Sequence, residues 1–166
     1  TAEITAERAH PYVSRAALKL AGALDLWPID VTGRACLDIG ASTGGFTEVL
    51  LKGSAKSVLA IDVGHSQFHA SLSEDPRVTL LERMDARALT AVHLRAELSL
   101  IVCDASFIGL EKVLVPAIDL TPVGTDLVTL FKPQFQVGPD HVGKGGVVTD
   151  TDAIDQAMTA FQAWLT

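Results

Sequence analysis

The chain has 166 residues, with 13 Lys and Arg against 20 Asp and Glu, which gives a formal net charge of −7. This length is typical of one domain and is sufficient to bury a core without disulfides. With 48% hydrophobic and 20% charged residues, the composition excludes an intrinsically disordered chain. No apolar stretch approaches the roughly 18 residues of a membrane-spanning helix. The acidic balance counts against a free-standing nucleic-acid-binding protein.

The two cysteines predict a reduced, intracellular protein. Cys36 and Cys103 each lie within an apolar run, where a free thiol behaves as a small buried hydrophobic group. No basic segment followed by an apolar stretch opens the chain, so no export signal is visible and a cytoplasmic location is expected. The five histidines do not combine with cysteine at metal-ligand spacing, so the sequence predicts no metal site.

The secondary-structure pattern alternates between strands and helices. Residues 1–13 are polar and predict a linker or lead-in, and Ser14 is the predicted N-cap of a first helix. The predicted strands are residues 35–39, 57–61, 78–81, 98–103 and 125–131. The later predicted helices are residues 44–52, 65–73, 86–96, 109–120 and 151–165, the fourth bent or ended by Pro116. This alternation predicts an α/β fold with a doubly wound, mostly parallel sheet.

The first strand runs directly into a loop of small residues that opens a helix, with the sequence LDIGASTGGF over residues 37–46. In a doubly wound sheet, ligands bind beyond the carboxyl ends of the strands, and this first turn is the usual place. Glycine lets the backbone approach a ligand, and the start of the helix offers free N–H donors. The residues predicted to bind a cofactor here are Asp38, Gly40, Ala41, Ser42, Gly44, Gly45 and Phe46.

Acidic residues also follow the next three strands. Asp62, followed by Val63, ends the second strand about twenty residues after the loop, where a carboxylate can accept hydrogen bonds from a ribose diol. Asp85 and Ala86 follow the third strand, where they could meet an adenine amino group, and Asp104 follows the fourth. Because parallel strands end at the same edge of a sheet, these acids and the aspartate of the first strand are expected to lie together.

Two other short motifs match the same loop. A dinucleotide site requires G-x-G-x-x-G, but Ser42 stands where the second glycine belongs. Residues 40–44 spell the G-x-S-x-G nucleophile elbow of α/β-hydrolases, although that fold normally places several strands before the elbow and only about 35 residues precede it here. The hydrolase match is therefore interpreted as coincidental, and a nucleotide-dependent enzyme such as a dehydrogenase remains an alternative.

Seven segments, in order along the chain, are similar to one known family. They are YVSRAALKL at 12–20, DIGASTGGFT at 38–47, AIDVG at 60–64, DPRV at 75–78, CDASFI at 103–108, FKPQF at 131–135 and VGKGGVV at 142–148. Together they resemble the TlyA-type, FtsJ-like methyltransferases. The resemblance implies a Rossmann-like methyltransferase fold that uses S-adenosylmethionine, and transfer of a methyl group to the 2′-hydroxyl of a ribosomal RNA cytidine. Some members of the family carry a hemolysin label.

The resemblance also implies catalytic residues. The active site of the family resembles a Lys-Asp-Lys-Glu tetrad, whose first three members match Lys19, Asp104 and Lys132. The Glu would lie past Thr166, and Gln136 stands where a further family Glu is expected. The family usually has a basic S4-type RNA-binding domain ahead of the first matching segment. Residues 14–166 are therefore expected to be a methyltransferase domain that lacks its last strands, cut from a longer enzyme and weakly active or inactive alone.

The chemistry of ribose methylation agrees with these roles. A ribose 2′-hydroxyl is a poor nucleophile and must lose its proton as the methyl group is transferred. A lysine held beside a second cation in a partly desolvated site can give up its own proton and act as a base. Lys132 is the predicted base, Asp104 is predicted to orient it, and Lys19 is predicted to position the ribose or stabilise the developing oxyanion.

A membrane-active hemolysin is the third alternative. Such a protein needs a spanning segment or a basic amphipathic helix, whereas the predicted last helix contains Asp152 and Asp155 and no Lys or Arg. The favoured hypothesis therefore has ribosomal RNA or ribosomal subunits as partner and no membrane partner. It also predicts a five-stranded parallel sheet in the order 3-2-1-4-5.

Overall fold

The computed structural model describes residues 10–166, which contain one five-stranded parallel sheet. Its strands are β1 (Ala35–Ile39), β2 (Ser57–Asp62), β3 (Val78–Glu82), β4 (Leu100–Cys103) and β5 (Asp126–Thr129). They are arranged in the order β3-β2-β1-β4-β5, with every neighbouring pair parallel. The predicted fold class and strand order are thus confirmed.

In the part of the chain that the structure describes, five α-helices surround the sheet: α1 (Ala17–Leu26), α2 (Gly45–Lys52), α3 (Ala70–Ser73), α4 (Leu110–Asp119) and α5 (Thr151–Leu165). Short 3₁₀ turns occupy Ala86–Ala88, Ala91–His93, Pro133–Phe135, Pro139–His141 and Lys144–Gly146. Within residues 10–166, each helix is too short or too polar to cross a lipid bilayer.

The sheet is covered on both faces. Side chains alternate between the faces of a strand, so Leu37 and Ile39 of β1 pack toward α4 and α5, while Cys36 packs toward α1 and α2. Leu114 of α4 and Leu50 of α2 are completely buried in these two layers. Burial on both faces explains why the strands are continuous apolar runs and not alternating ones. Both cysteine thiols are buried and free, as expected.

Two predicted helices are largely absent. Residues 86–96 form two 3₁₀ turns, because the Asp85 carboxylate caps the first turn and Leu89, extended and 4% exposed, turns into the core. Of residues 65–73 only Ala70–Ser73 is α-helical, since Ser66 adopts a left-handed conformation with φ +57° and His69 caps the short helix. Short polar side chains that bond to nearby backbone compete with helix propagation in this way.

The first helix also begins later than predicted. Its first residue is Ala17, and the Ser14 hydroxyl finds no hydrogen-bond partner among the described residues, so Ser14 is not the side-chain cap. Residues 1–9 of the predicted linker lie outside the described residues, but Tyr12 and Val13 pack against the core layer under α1 and α2. Helix α4 continues through Pro116 and does not end there.

The completely buried Leu114 provides a test of this packing. Leu114→Ala is expected to lower the free energy of unfolding by about 2–5 kcal/mol, because it removes apolar contacts and leaves a cavity. Urea unfolding followed by circular dichroism measures the change. Val123→Ala is the control, since Val123 is fully exposed and its truncation should change stability by less than about 0.5 kcal/mol. Equal effects of the two substitutions would contradict the described core.

Candidate active site

Two adjoining cavities lie beyond the carboxyl ends of β1, β2 and β4. The first, of about 400 Å³, is lined by Asp62 and Asp85 together with apolar side chains, and the second, of about 420 Å³, is lined by Lys19 and Lys132. Four residues line both cavities: Gly40, Ser42, Asp104 and Ser106. The volumes are those of small-molecule sites, and the shared wall allows two ligands to meet.

The loop after β1 packs closely against the backbone of the segment that follows β4. Gly40 has φ +80°, and a Cβ there would lie 3.2 Å from the backbone of Ala105. A side chain at this position would therefore strain the loop and push it away from the segment after β4. The Gly40 and Ala41 N–H groups both donate to the Ile61 carbonyl, at 2.9 and 3.2 Å, which fixes the loop over the end of β2.

Asp62 ties this loop to the end of β2. Its Oδ2 accepts the Ser42 N–H at 2.8 Å, and its Oδ1 accepts the Gly64 N–H at 2.6 Å. A carboxylate offers about four acceptor positions, so Asp62 retains acceptor capacity at the first cavity. Val63, which is 72% exposed, lines the same cavity. Both residues predicted from the spacing after the loop are therefore placed at one ligand-sized space.

Asp85 lies at the first cavity but is already engaged. Its carboxylate accepts the Arg87 backbone N–H at 2.9 Å and pairs with the Arg87 guanidinium at 2.6 Å. These hydrogen bonds hold the pKa of Asp85 below its ordinary value. Ala86 is buried against the same cavity. A ligand amino group at Asp85 would therefore share the carboxylate with Arg87.

Asp38 differs from the other predicted acids because it lines neither cavity. Its side chain is completely buried, and its Oδ2 accepts the Thr47 hydroxyl at 2.7 Å. Burial raises the pKa of Asp38 to about 7, although the Thr47 hydrogen bonds oppose the shift. Asp38 therefore joins β1 to the first turn of α2 beneath the loop, and its contact with a cofactor stays a prediction.

The remaining loop residues divide between the second cavity and the core. Ala41, Gly45 and Phe46 line the second cavity. Gly44 does not line either one, because it packs against Phe68 and Leu72, and a Cβ there would approach the Leu72 side chain to 2.5 Å. With φ +93°, Gly44 instead makes the turn into α2.

The three predicted catalytic residues meet in the second cavity. Asp104 follows β4, Lys19 lies on α1 and Lys132 follows β5. The Lys19 ammonium lies 3.0 Å from Asp104 Oδ2, and the Lys132 ammonium lies 2.6 Å from Asp104 Oδ1. Asp104 and Lys132 are mostly enclosed, with side chains 14% and 19% exposed, whereas Lys19 is 49% exposed. One carboxylate therefore holds two cations at a single space.

The segment ahead of α1 forms one wall of the second cavity, and the sequence did not assign it a role. Ser14, Arg15 and Ala16 line the cavity. The Glu48 carboxylate of α2 accepts the Val13 N–H at 2.7 Å and holds this segment in place. Such a contact, 35 positions apart in the chain, leaves no signal in a single sequence.

Lys52 reinforces the same attachment. Its ammonium pairs with Glu48 at 2.9 Å, donates to the Pro11 carbonyl at 3.3 Å and lies 4.3 Å from the centre of the Tyr12 ring. A cation over an aromatic face is attractive. The segment that the sequence predicted as a linker is therefore packed against α2 from Pro11 to Val13.

Because the pKa of Asp38 is raised, the difference in stability between wild type and Asp38→Asn should depend on pH. A carboxyl whose pKa is near 7 when folded and near 3.9 when unfolded stabilises the folded state below pH 4, and this contribution is lost as the pH rises to 7. Between pH 4 and 8, Asp38→Asn should therefore gain stability relative to wild type by up to about 4 kcal/mol. Denaturant unfolding of both proteins across this range measures the difference. A stability difference between the two proteins that does not change with pH would contradict the raised pKa of Asp38.

Two curated relatives match most of this chain. The 16S/23S rRNA (cytidine-2′-O)-methyltransferase TlyA of Mycobacterium tuberculosis is 52% identical over 139 residues, which cover 84% of this chain and 52% of that protein. The 23S rRNA (cytidine-2′-O)-methyltransferase TlyA of Campylobacter jejuni is 41% identical over 152 residues, which cover 91% of this chain and 58% of that protein. The chain thus spans about half the length of the curated relatives it matches.

A solved structure shows the same architecture. A Streptococcus thermophilus protein provisionally named a hemolysin superposes with a TM-score of 0.90 at 35% identity, covering 95% of this chain and 57% of its own. The family model for FtsJ-like methyltransferases matches residues 12–166. These matches confirm the resemblance carried by the seven segments. The chain belongs to the FtsJ-like methyltransferase family.

Proposed function

We propose that this chain is the catalytic domain of an S-adenosylmethionine-dependent enzyme that methylates a ribose 2′-hydroxyl of ribosomal RNA. The observation that carries the proposal is the placement of Lys19, Asp104 and Lys132 in a cavity that shares a wall with a second, ligand-sized cavity. Membership of a methyltransferase family supports a methyl donor in the one cavity and an acceptor in the other.

The first cavity suits the nucleoside part of the cofactor. Met84, Ala86 and Ile108 provide apolar walls for a base, while Asp62 keeps acceptor capacity for a ribose diol. S-adenosylmethionine supplies an electrophilic methyl group on a positively charged sulfur. The Asp62 and Asp104 carboxylates, which both line this cavity, would stabilise this charge.

The second cavity suits the ribose hydroxyl. Lys19, the more exposed of the two lysines, can bind the 2′-oxygen and stabilise negative charge that develops on it. Lys132 can take the hydroxyl proton once its own ammonium has released a proton to solvent, and Asp104 holds both amines at the reacting oxygen. The proton would then reside on the Lys132 nitrogen, and the ribose oxygen would gain the methyl group as the bond from that methyl group to sulfur breaks and leaves a neutral thioether.

The RNA substrate is proposed from the relatives. Two of them are named rRNA (cytidine-2′-O)-methyltransferases, and these names support ribosomal RNA or a ribosomal subunit as the partner. A cytoplasmic location is proposed together with this substrate. The net charge of −7 is consistent with a catalytic domain that relies on another part of the protein for affinity to phosphate. Arg15 and Lys144 are cations available for additional phosphate contacts.

Cofactor binding can be tested without RNA. S-adenosylmethionine should raise the melting temperature of the chain, whereas NAD should not, which separates this proposal from the dehydrogenase alternative. Asp62→Ala should raise the Kd for S-adenosylmethionine at least about tenfold, since it removes charge-assisted hydrogen bonds to the loop and the ligand. Asp119→Asn is the control, because Asp119 is exposed at the end of α4. Stabilisation by NAD alone would reject the cofactor assignment.

Catalysis is tested separately in the full-length protein with ribosomal subunits as substrate. Lys132→Ala should lower kcat at least about a hundredfold, because it removes the proposed base, while the Kd for S-adenosylmethionine stays within about twofold. Lys56→Ala serves as the matched control, since Lys56 is exposed outside both cavities. Transfer of tritiated methyl groups gives the rates. Normal turnover by Lys132→Ala would remove Lys132 from the mechanism.

A further inference from the structure

We infer that Ser106 is a positioning residue for Lys132: its hydroxyl fixes the direction of the Lys132 ammonium at the wall shared by the two cavities. This inference rests on the proposed function for its effect on turnover. The underlying contact is geometric, since the Lys132 Nζ donates to Ser106 Oγ at 2.7 Å. Ser106 lies in the matching segment CDASFI at 103–108, but the resemblance assigns it no catalytic or cofactor-binding role.

Three oxygens from one short segment surround the Lys132 ammonium. Besides the bond to Ser106, the ammonium donates to the Asp104 carbonyl at 3.1 Å and forms an ion pair with Asp104 Oδ1 at 2.6 Å. Two of the three N–H donors of the lysine therefore have hydrogen-bond acceptors in residues 104–106, and the carboxylate adds its charge. The arrangement holds Lys132 as a cation in one orientation, with its amine directed at the segment that follows β4.

Ser106 is the one adjustable member of this set. The Asp104 carbonyl is fixed in the backbone, and the Asp104 carboxylate is shared with Lys19. A serine hydroxyl, in contrast, can rotate and can both accept and donate. Among the described residues it has no acceptor for its own hydrogen, and Ser106 faces both cavities. Ser106 can therefore hold Lys132 and still donate to an oxygen of a bound ligand.

Loss of this hydroxyl has two separable consequences. The first concerns the amine itself: the hydrogen bond to Ser106 Oγ holds the Lys132 amine against the segment after β4, where a reagent meets it in few orientations. Removing the acceptor should therefore make Lys132 more reactive toward an acylating reagent. The second concerns turnover, because a misdirected Lys132 would meet the ribose hydroxyl in fewer productive geometries. Because Ser106 itself also lines the first cavity, the KM for S-adenosylmethionine is measured beside kcat, and a loss confined to kcat is the result expected from a misdirected Lys132.

The first experiment requires no RNA and no methyl transfer. The protein is labelled with trace acetic anhydride, and mass spectrometry compares Lys132 with exposed Lys56 as an internal reference. Ser106→Ala should raise the labelling of Lys132 relative to Lys56 by about threefold to tenfold, as expected for the loss of a hydrogen bond to a charged group. Ser106→Thr, which keeps the hydroxyl, should match wild type. Ser73→Ala is the serine control, because Ser73 bonds only within α3.

The second experiment measures methyl transfer to ribosomal subunits by the full-length protein. Ser106→Ala should lower kcat about tenfold to a hundredfold, with the KM for S-adenosylmethionine within about twofold, and Ser106→Thr should restore most of the rate. Unchanged Lys132 labelling in Ser106→Ala would overturn the inference even if turnover fell. If the labelling of Lys132 changes as expected but the wild-type protein methylates no ribose, the proposed function is rejected and the contact between Ser106 and Lys132 is retained.

Discussion

The candidate site depends on one carboxylate that is shared by two ammonium groups. Asp104 binds Lys19 through Oδ2 and Lys132 through Oδ1. Two unit charges of the same sign repel each other in a partly enclosed space, and the carboxylate between the two ammonium groups offsets this repulsion. The carboxylate thereby converts an unfavourable pair of cations into a fixed arrangement in which each amine retains donors for a substrate or a neighbouring side chain.

This arrangement explains why the fold places its elements as it does. Lys19 belongs to α1 on one face of the sheet, Asp104 follows β4, and Lys132 follows the edge strand β5. The three side chains meet only when β4 lies beside β5 and α1 packs next to α2. The attachment of residues 11–13 to α2 by Glu48 and Lys52 completes the wall beside Lys19. The wall of the second cavity beside Lys19 therefore depends on correct packing of residues 11–13.

The sequence predicted those parts of the fold whose signal is local. Strand β1 has its predicted bounds because Ala35–Ile39 is an apolar run buried on both faces, and Asp62 and Asp104 lie where the ends of parallel strands must place them. The helix expected over residues 86–96 was wrong, since capping by Asp85 and burial of Leu89 outweighed helix propensity. Propensity is a weak guide wherever local side-chain bonds and tertiary burial compete with it.

The sequence could not distinguish roles that only packing decides. Asp38 and Asp62 both lie at strand ends, yet Asp38 is sealed beneath the loop by Thr47, whereas Asp62 remains at the cavity. Ser106 likewise is singled out only by its hydrogen bond with Lys132, which lies 26 positions away in the chain. Side chains of this kind have no characteristic spacing. They become visible only when the loops after β4 and β5 are brought together.

The central claim is tested most directly by identifying the methylated atom. Ribosomal subunits would be treated with the full-length protein and isotope-labelled S-adenosylmethionine, and their RNA digested to nucleosides for mass spectrometry. The account predicts a cytidine whose label is on the ribose, because Lys19, Asp104 and Lys132 are arranged to act on a hydroxyl. A nucleoside labelled on the base would contradict it.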